Sequence, residues 1–229
     1  MPDGIPKHVG YIVDGNRRWA KLHGLPAYEG HLAGYSALHE VVQASFDADI
    51  TYVSVYLFST ENWKRSEQEV SRLMGLALKL LTSDLHLFDE NNIKLKVLGS
   101  RERISSKIID AIDKAEAQTA GNGKGTLAIC FNYGGQLEIV DAVKKVIQSG
   151  VTQEFVTLEL IAQKLYEPEV PALDLIVRTS GEQRISNFML WRAAYSEFLF
   201  LEKLWPDMTK DDVTAILEEY SRRNRRIGG

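Results

Sequence analysis

The feature that most constrains this chain is the repeated alternation of short apolar segments with stretches of helical periodicity. Six short segments are rich in Val, Ile, Leu and aromatic residues, as buried strands are, and they cover 8–13, 52–58, 93–99, 126–133, 173–178 and 197–201. Apolar residues recur at helical spacing over 33–49, 67–91, 107–118, 138–148 and 210–224. Strand followed by helix, repeated, predicts an α/β fold with a mostly parallel sheet covered by helices on both faces.

Length and composition exclude several other classes of protein. The 229 residues predict a single domain, 1–229, which can bury a core without disulfides. The net charge of −4 argues against a nucleic-acid binder, and the single cysteine, Cys130, excludes a disulfide framework and a Cys-rich zinc module. The first residues are polar and no run of about 18 apolar residues occurs, so we expect a cytoplasmic protein without a signal peptide or a membrane span.

Polar residues rich in Arg, Ser, Asn and Gly follow four of the predicted strands, at 14–19, 59–65, 132–135 and 178–187. Ligands of open parallel sheets bind beyond the carboxyl ends of the strands, so we expect these segments to meet in one crevice. Arginine suits phosphate oxygens because its planar fork donates two parallel hydrogen bonds. The candidate anion clamps are Arg17, Arg18, Arg65, Arg178 and Arg184.

Asp14 is the carboxylate among these arginines. Mg²⁺ typically takes one or two carboxylates together with substrate phosphates, so Asp14 is a candidate ligand for a cation that carries a diphosphate. Aspartate is also a favoured helix N-cap, and the alternative is a cap paired with Arg17 or Arg18. His31 has two interpretations as well, a capping or surface histidine and a donor to phosphate. The local sequence leaves both pairs of alternatives open.

Seven sequence motifs follow one another along the chain. They are HVGYIVDGNRRWA (8–20), G-H-x-x-G (30–34), YLFSTENWKR (56–65), FNYGG (131–135), LDLIVRTSGEQRISNFMLW (173–191), AYSE (194–197) and LWPDM (204–208). Together they resemble the cis-prenyltransferases, the undecaprenyl-diphosphate-synthase-like enzymes, over nearly the whole chain. The resemblance implies a twisted, mostly parallel six-stranded sheet flanked by helices, with a hydrophobic tunnel, and a homodimer.

The resemblance also implies a reaction, in which isopentenyl diphosphate and an allylic diphosphate condense and each added unit carries a cis double bond. Asp14 resembles the aspartate that binds Mg²⁺ and helps the allylic diphosphate leave, Glu197 resembles a second carboxylate near Mg²⁺, and Asn62 matches the position proposed for proton removal. The other matching positions are Gly15, Asn16, Arg17, Arg18 and His31 at the allylic diphosphate, Trp19 at the start of its chain, Ser59, Thr60, Glu61, Trp63 and Arg65 in the loop over both substrates, Arg178, Arg184, Ile185 and Ser186 at isopentenyl diphosphate, and Arg226 and Gly228 at a partner subunit's diphosphate.

The chain departs from the family pattern at three positions. Arg17 stands where many long-chain bacterial members have Gly, and Ala27 stands where the family often has Arg, so Arg17 is expected to compensate. Leu57 replaces a usually small residue, and together with the bulky Phe131 it is expected to stop the growing chain early. One alternative is a long-chain undecaprenyl diphosphate synthase for the cell-wall carrier lipid. A second is an enzyme that makes branched or cyclised short isoprenoids, which the retained Glu61, Asn62 and Trp63 disfavour, and a third is a non-catalytic partner subunit, which the retained Asp14 disfavours.

The basic segment 221–229 has two interpretations of its own. It is either a solvated helix end or a peripheral contact with anionic lipid headgroups at the membrane. A nucleic-acid partner is not expected, because the chain as a whole is acidic.

Overall fold

The computed structural model describes residues 4–223, in which the predicted strands form one six-stranded sheet. The strands are β1 (His8–Ile12), β2 (Tyr52–Ser59), β3 (Ile93–Leu98), β4 (Gly125–Tyr133), β5 (Leu175–Arg178) and β6 (Glu197–Phe200). Their order is β3-β4-β2-β1-β5-β6, and every neighbouring pair is parallel. The predicted α/β fold with six strands is therefore confirmed.

Within residues 4–223, eight α-helices flank this sheet. They are α1 (Asn16–Leu22), α2 (Ala27–Asp47), α3 (Glu67–Leu81), α4 (Leu85–Glu90), α5 (Ser106–Gln118), α6 (Gly135–Gln148), α7 (Leu158–Ala162) and α8 (Lys210–Ser221), with short 3-10 helices at Thr60–Lys64, Gln153–Phe155 and Trp205–Asp207. None of the helices in this part of the chain is both long enough and apolar enough to cross a membrane.

Two of the predicted helix boundaries were wrong. The helix predicted over 33–49 begins at Ala27, and the helix predicted over 67–91 divides into α3 and α4. At the division, the Thr82 hydroxyl donates to the Leu78 carbonyl at 2.7 Å, and Asp84 accepts a hydrogen bond from the Tyr35 hydroxyl at 2.7 Å. Such side-chain contacts compete with the backbone hydrogen bonds that would continue the helix past Leu81. They are made by polar residues, so the period of the apolar residues alone did not reveal the break.

The sheet separates two apolar cores, because successive side chains of a strand point to opposite faces. In β4, for example, Leu127 and Ile129 belong to the larger core, which α2, α3, α5 and α8 cover, whereas Ala128 and Cys130 belong to the smaller one. Both faces of the central strands are therefore buried, as the near-continuous apolar runs predict for a parallel sheet.

A β-bulge interrupts β2 beside the crevice. Tyr56 pairs with Cys130 and Phe58 pairs with Phe131, which leaves Leu57 as the extra residue. A regular strand would point Leu57 and Phe58 to opposite faces, whereas the bulge lets both contact the same small cavity. The bulge thus determines which side chains of β2 face the space below the crevice.

Candidate active site

The predicted crevice forms at the carboxyl ends of β1 and β5. Nη2 of Arg178 donates to Oδ2 of Asp14 at 2.8 Å, and the Gly15 amide donates to Oδ1 at 2.7 Å. Burial by itself would raise the pKa of Asp14, but the hydrogen bond and the charge of Arg178 outweigh burial, and the pKa is lowered. The carboxylate is therefore ionised at neutral pH, and 34% of the side chain is exposed to the crevice.

The alternative that Asp14 caps α1 is wrong. The N-cap position belongs to Gly15, whose φ of 107° lies in the region that favours glycine. The partner of the Asp14 carboxylate is Arg178, whereas Arg18 donates to the Ser180 carbonyl at 2.7 Å. Asp14 is thus held by the neighbouring strand rather than by its own helix.

Two open cavities meet at Asp14. The α1 cavity has a volume of about 700 Å³, and Arg17 and Arg18 are among the residues that line it. The β5 cavity has a volume of about 510 Å³, and Arg178 and Ser186 contribute to its wall. Both cavities share a set of lining residues, namely Val13, Asp14, Asn16, His31 and Arg65. Two arginine-lined cavities beside one carboxylate can hold two anionic groups side by side.

Close packing of α1 against α2 shapes the shared wall. A Cβ atom at Gly30 would lie 1.9 Å from the Asn16 carbonyl oxygen, and one at Gly34 would lie 2.1 Å from Asn16 Oδ1. A side chain at Gly30 would push the two helices apart, and one at Gly34 would displace the Asn16 side chain. The G-H-x-x-G motif therefore brings Asn16 and His31 to both cavities.

His31 is buried inside α2, so the interpretation as a capping or surface histidine is wrong. Burial lowers the pKa of His31, and the nearby charge of Arg65 lowers it further, although Glu69 acts in the opposite direction. The ring is therefore neutral at pH 7, and its Nε2 lies 3.4 Å from Glu69 Oε1. A neutral imidazole can donate one hydrogen bond to a phosphate oxygen.

The 3-10 helix Thr60–Lys64 forms the outer wall of the β5 cavity. Asn62 Oδ1 accepts from the Ser59 amide at 3.0 Å, and Glu61 Oε1 accepts from Asn187 Nδ2 at 3.1 Å. Burial opposes ionisation of Glu61, but the hydrogen bonds from Asn187, from its own backbone amide and from Ser59 and Thr60 together outweigh burial, so the pKa of Glu61 is lowered. Trp63 lies behind the turn, where its Nε1 donates to Asn132 Oδ1 at 2.7 Å. The other predicted residues of this loop are near the cavity: Ser59 and Arg65 line it, and Thr60 contacts Gly134.

The segment after β5 holds the Arg178 guanidinium in place. Nη1 of Arg178 donates to Ser186 Oγ at 2.7 Å and to the Arg184 carbonyl. The Arg184 side chain itself is 61% exposed at the rim and pairs with Glu182. Ile185 packs against the smaller core and so anchors the segment beneath the cavity.

Several predicted site residues lie apart from Asp14. Glu197 begins β6 in register with Leu175, three residues before Arg178, which corresponds to about 10 Å along the strand. Its carboxylate accepts from Arg223 at 3.0 Å, so one chain alone does not bring Glu197 to Asp14. Trp19 Nε1 donates to Asp207 at 2.6 Å on the outer side of α1. Arg226 and Gly228 lie outside the described residues.

Asp14 fits a hard divalent cation, because it is ionised, exposed to the cavities and provides oxygen donors. Within residues 4–223, no group of three or more His, Cys, Asp or Glu side chains could hold a metal ion. A Mg²⁺ ion needs only one or two carboxylates when phosphate oxygens supply other ligands. The residues therefore fit a cation that binds together with a diphosphate.

The predicted hydrophobic tunnel is not shown by the structure. Below the crevice lies an apolar cavity of about 40 Å³, which has room for about three water molecules. Leu57, Phe58 and Phe131 line it on the sheet side, and Leu73 and Leu76 line it from α3. Leu57 also lines the β5 cavity, so it lies between the crevice and the apolar cavity.

Glu69 was not among the predicted site residues, and Asn187 was predicted only as part of the segment 178–187. The Glu69 carboxylate accepts from Arg65 Nη1 at 2.8 Å and lies 4.0 Å from Arg17, so its negative charge partly offsets the charges of these two arginines. Its i,i+4 spacing from Arg65 was the available signal. Asn187 links the turn at Glu61 to the Gln136 amide, and only the folded chain brings those segments together.

Comparisons with known proteins agree with this arrangement. The undecaprenyl diphosphate synthase family model matches residues 12–228. An isoprenyl transferase of Thermotoga maritima is 45% identical over 98% of this chain and 97% of its own length. A trans,polycis-polyprenyl diphosphate synthase ((2Z,6E)-farnesyl diphosphate specific) of Thermobifida fusca is 42% identical over 98% of this chain and 81% of its own length. The crystal structure of lavandulyl diphosphate synthase from Lavandula x intermedia with dimethylallyl diphosphate matches with a TM-score of 0.94 and 31% identity, over 98% of this chain and 99% of that one.

Proposed function

Because this chain belongs to the undecaprenyl diphosphate synthase family and is a cis-prenyltransferase, we propose that its two cavities hold an allylic diphosphate and isopentenyl diphosphate. The observation that carries this assignment is the pair of arginine-lined cavities that meet at Asp14. Two diphosphates side by side repel each other, and the arginines offset that repulsion. Binding both substrates also holds the reacting carbons close together.

The α1 cavity suits the allylic diphosphate, because Arg17 and Arg18 line it at the start of α1, and arginines stabilise the negative charge that develops on a departing diphosphate. Asp14 would hold Mg²⁺ there, and the bound cation would neutralise charge on the departing diphosphate. Arg17 and Ala27 both line this cavity, which supports the idea that Arg17 supplies the positive charge that Ala27 lacks. Neutral His31 donates a hydrogen bond from the opposite wall.

The β5 cavity suits isopentenyl diphosphate, because Arg178 and Ser186 form a fixed anion site beside Asp14. The C1–O bond of the allylic substrate breaks, C4 of isopentenyl diphosphate bonds to C1, and C2 of isopentenyl diphosphate loses a proton. Asn62 Oδ1 has one lone pair left after it accepts from Ser59, so it can orient that proton toward the released diphosphate. Glu61 stays ionised in the same wall.

We propose a short-chain product, because Leu57 and Phe131 leave only about 40 Å³ of apolar space below the crevice. Leu57→Ala removes about three heavy atoms at the entrance, and we expect products at least one isoprene unit longer. The measurement is the mass of products formed from isopentenyl diphosphate with dimethylallyl, geranyl or farnesyl diphosphate. Leu95→Ala, in the same core on β3, is the matched control and should leave product length unchanged.

The long-chain alternative predicts a different outcome. A wild-type product near C50–C55 would contradict the role of Leu57 as a stop and would favour synthesis of the undecaprenyl carrier lipid. Products near C15–C20 that lengthen only in Leu57→Ala would support the short-chain assignment. Absence of product from every primer would favour the non-catalytic alternative.

We also propose a homodimer formed through the apolar surface between α6, α7 and the segment before β6. Leu158 and Tyr195 line a groove of about 690 Å³ there, with more than 70% of each residue exposed, and Ile147 on α6 is 71% exposed. So large an apolar patch is typical of an interface. Leu158→Asp with Ile147→Asp is expected to yield monomers in light scattering, and Leu22→Asp, which changes an exposed leucine on α1, should leave the dimer intact. A dimer that survives the double change would contradict this surface.

The last proposal concerns the cell compartment and the contact of the enzyme with the membrane. We propose a cytoplasmic enzyme whose basic segment 221–229 makes peripheral contact with anionic lipids. Vesicles with and without anionic headgroups would test that contact by co-sedimentation.

A further inference from the structure

Asn132, near the end of β4, connects the Thr60–Lys64 turn to the loop after β3 at the carboxyl edge of the sheet. Its Oδ1 accepts from Trp63 Nε1 at 2.7 Å, and its Nδ2 donates to the carbonyls of Ser100 at 2.8 Å and Glu102 at 2.9 Å. The side chain is buried, with 3% of the residue exposed, and both amide hydrogens are used. Such a fully satisfied buried amide holds its partners in a single arrangement.

The backbone around Asn132 is also held in a single arrangement. Asn132 has a φ of 49°, and it is the extra residue of β4 where Phe58 pairs with Phe131 and Ser59 with Tyr133. A Cβ atom at Gly99 would lie 1.9 Å from the Phe131 carbonyl oxygen, so the loop after β3 approaches β4 as closely as glycine permits. Left-handed backbone in a residue other than glycine persists only where the surroundings enforce it.

Arg103 contacts the same tryptophan from the other side. Its guanidinium carbon lies 4.5 Å from the centre of the Trp63 ring, while the Phe58 ring packs against Trp63 edge-on at 5.2 Å. A cation over a tryptophan face is attracted by the ring quadrupole. Trp63 is therefore held by one hydrogen bond and one cation–π contact, and both come from segments outside the Thr60–Lys64 turn.

We propose that Asn132 and Arg103 form a latch that positions the turn Thr60–Lys64, and with it Glu61 and Asn62, over the β5 cavity. They are positioning residues, because they act on the site through Trp63. The catalytic consequence rests on the proposed function, whereas the latch itself is a property of the fold.

Three variants separate the contacts of the latch. Asn132→Gly removes the side chain without penalising the left-handed backbone. Asn132→Asp keeps the acceptor for Trp63 but loses both donors to the loop after β3. Arg103→Ala removes the cation–π contact, and Arg101→Ala in the same loop is the matched control.

The test combines limited proteolysis with steady-state kinetics. We expect trypsin to cleave after Lys64 and Arg65 at least about tenfold faster in Asn132→Gly than in the wild type, because cleavage follows the population of the open turn. In Arg103→Ala we expect cleavage about two- to fivefold faster than in the wild type, because the lost cation–π contact is made by an exposed arginine. We expect kcat to fall by about 100-fold in Asn132→Gly, with KM for both diphosphates within about threefold of wild type. For both the cleavage rate and kcat, we expect Asn132→Asp to lie between the wild type and Asn132→Gly. Arg101→Ala is expected to match the wild type.

Each outcome has one meaning. Unchanged cleavage at the turn in both Asn132→Gly and Arg103→Ala would overturn the latch. Faster cleavage at every other site as well, with a collapsed melting curve, would show a general structural role and would also overturn it. Faster cleavage confined to Lys64 and Arg65, in a chain whose wild type transfers no prenyl group, would support the latch and refute the proposed function.

Discussion

Asp14→Ala is expected to lower kcat for prenyl transfer by about 1,000-fold, the range found when a charge-stabilising group is removed from a closed site. Asp14 is the carboxylate shared by both cavities, and its pKa is lowered by Arg178, so it provides negative charge where a cation would bind. The change also leaves the 5%-exposed Arg178 without its carboxylate partner. The measurement is incorporation of labelled isopentenyl diphosphate at saturating Mg²⁺.

Two companion variants make this result interpretable. Asp14→Asn retains an oxygen for the Gly15 amide but has no charge, so it should lose nearly as much activity as the alanine variant. Asp110→Ala changes an exposed carboxylate on α5 and should behave as the wild type. Turnover by a folded Asp14→Ala protein within about tenfold of the wild-type rate would refute the metal-binding role.

The second large effect is expected on stability. Arg192 and Glu138 form an ion pair at 2.7 Å, with 3% and 0% of their side chains exposed. Arg192 also donates to the carbonyls of Tyr166 and Val170, at 2.6 and 3.0 Å, and Glu138 accepts from the Tyr133 hydroxyl at 2.5 Å. The pair therefore ties α6 and the end of β4 to the segments on either side of β5.

Arg192→Met is expected to lower the free energy of unfolding by about 3–5 kcal/mol, because it leaves the Glu138 charge buried without its partner. Urea denaturation measures the effect. Adding Glu138→Leu should cost less than the sum of the two single changes, since the unpaired charge is then removed. Lys144→Met, which breaks the exposed pair with Asp141, is the control and should cost about 1 kcal/mol or less. A loss of under about 1 kcal/mol in Arg192→Met would contradict the prediction.

Much of the fold was predictable from the chain, and the errors have local physical causes. All six strands were found because they carry nearly continuous runs of apolar residues. The central strands are buried on both faces, as Leu175–Arg178 at the end of 173–178 is, whereas β6 at the edge of the sheet is half-buried. The break between α3 and α4 was missed, because Asp84 is held by Tyr35 of another helix and not by a neighbour in sequence.

The candidate site also contains residues that the sequence predicted and residues that only the folded chain revealed. Asp14, Arg17, Arg18, Arg65 and Arg178 were identified because polar residues that follow parallel strands must meet at one edge. Glu197 was placed by resemblance, and its separation from Asp14 depends on the register of β6 against β5. The roles of Glu69 and Asn132 depend on contacts across 38 and 69 residues of chain, to His31 and Trp63, which no local pattern encodes.

The sequence by itself determined the six strands, the longer helices, the edge of the sheet at which the polar residues meet and the kind of charge found there. These properties follow from side-chain period and from the direction of parallel strands. The tertiary structure alone decided that Arg178 rather than Arg17 or Arg18 pairs with Asp14, that Leu57 is the bulged residue, and that Trp63 faces Asn132. Those outcomes depend on register and close packing between distant segments, where a shift of one residue reverses the face of every side chain.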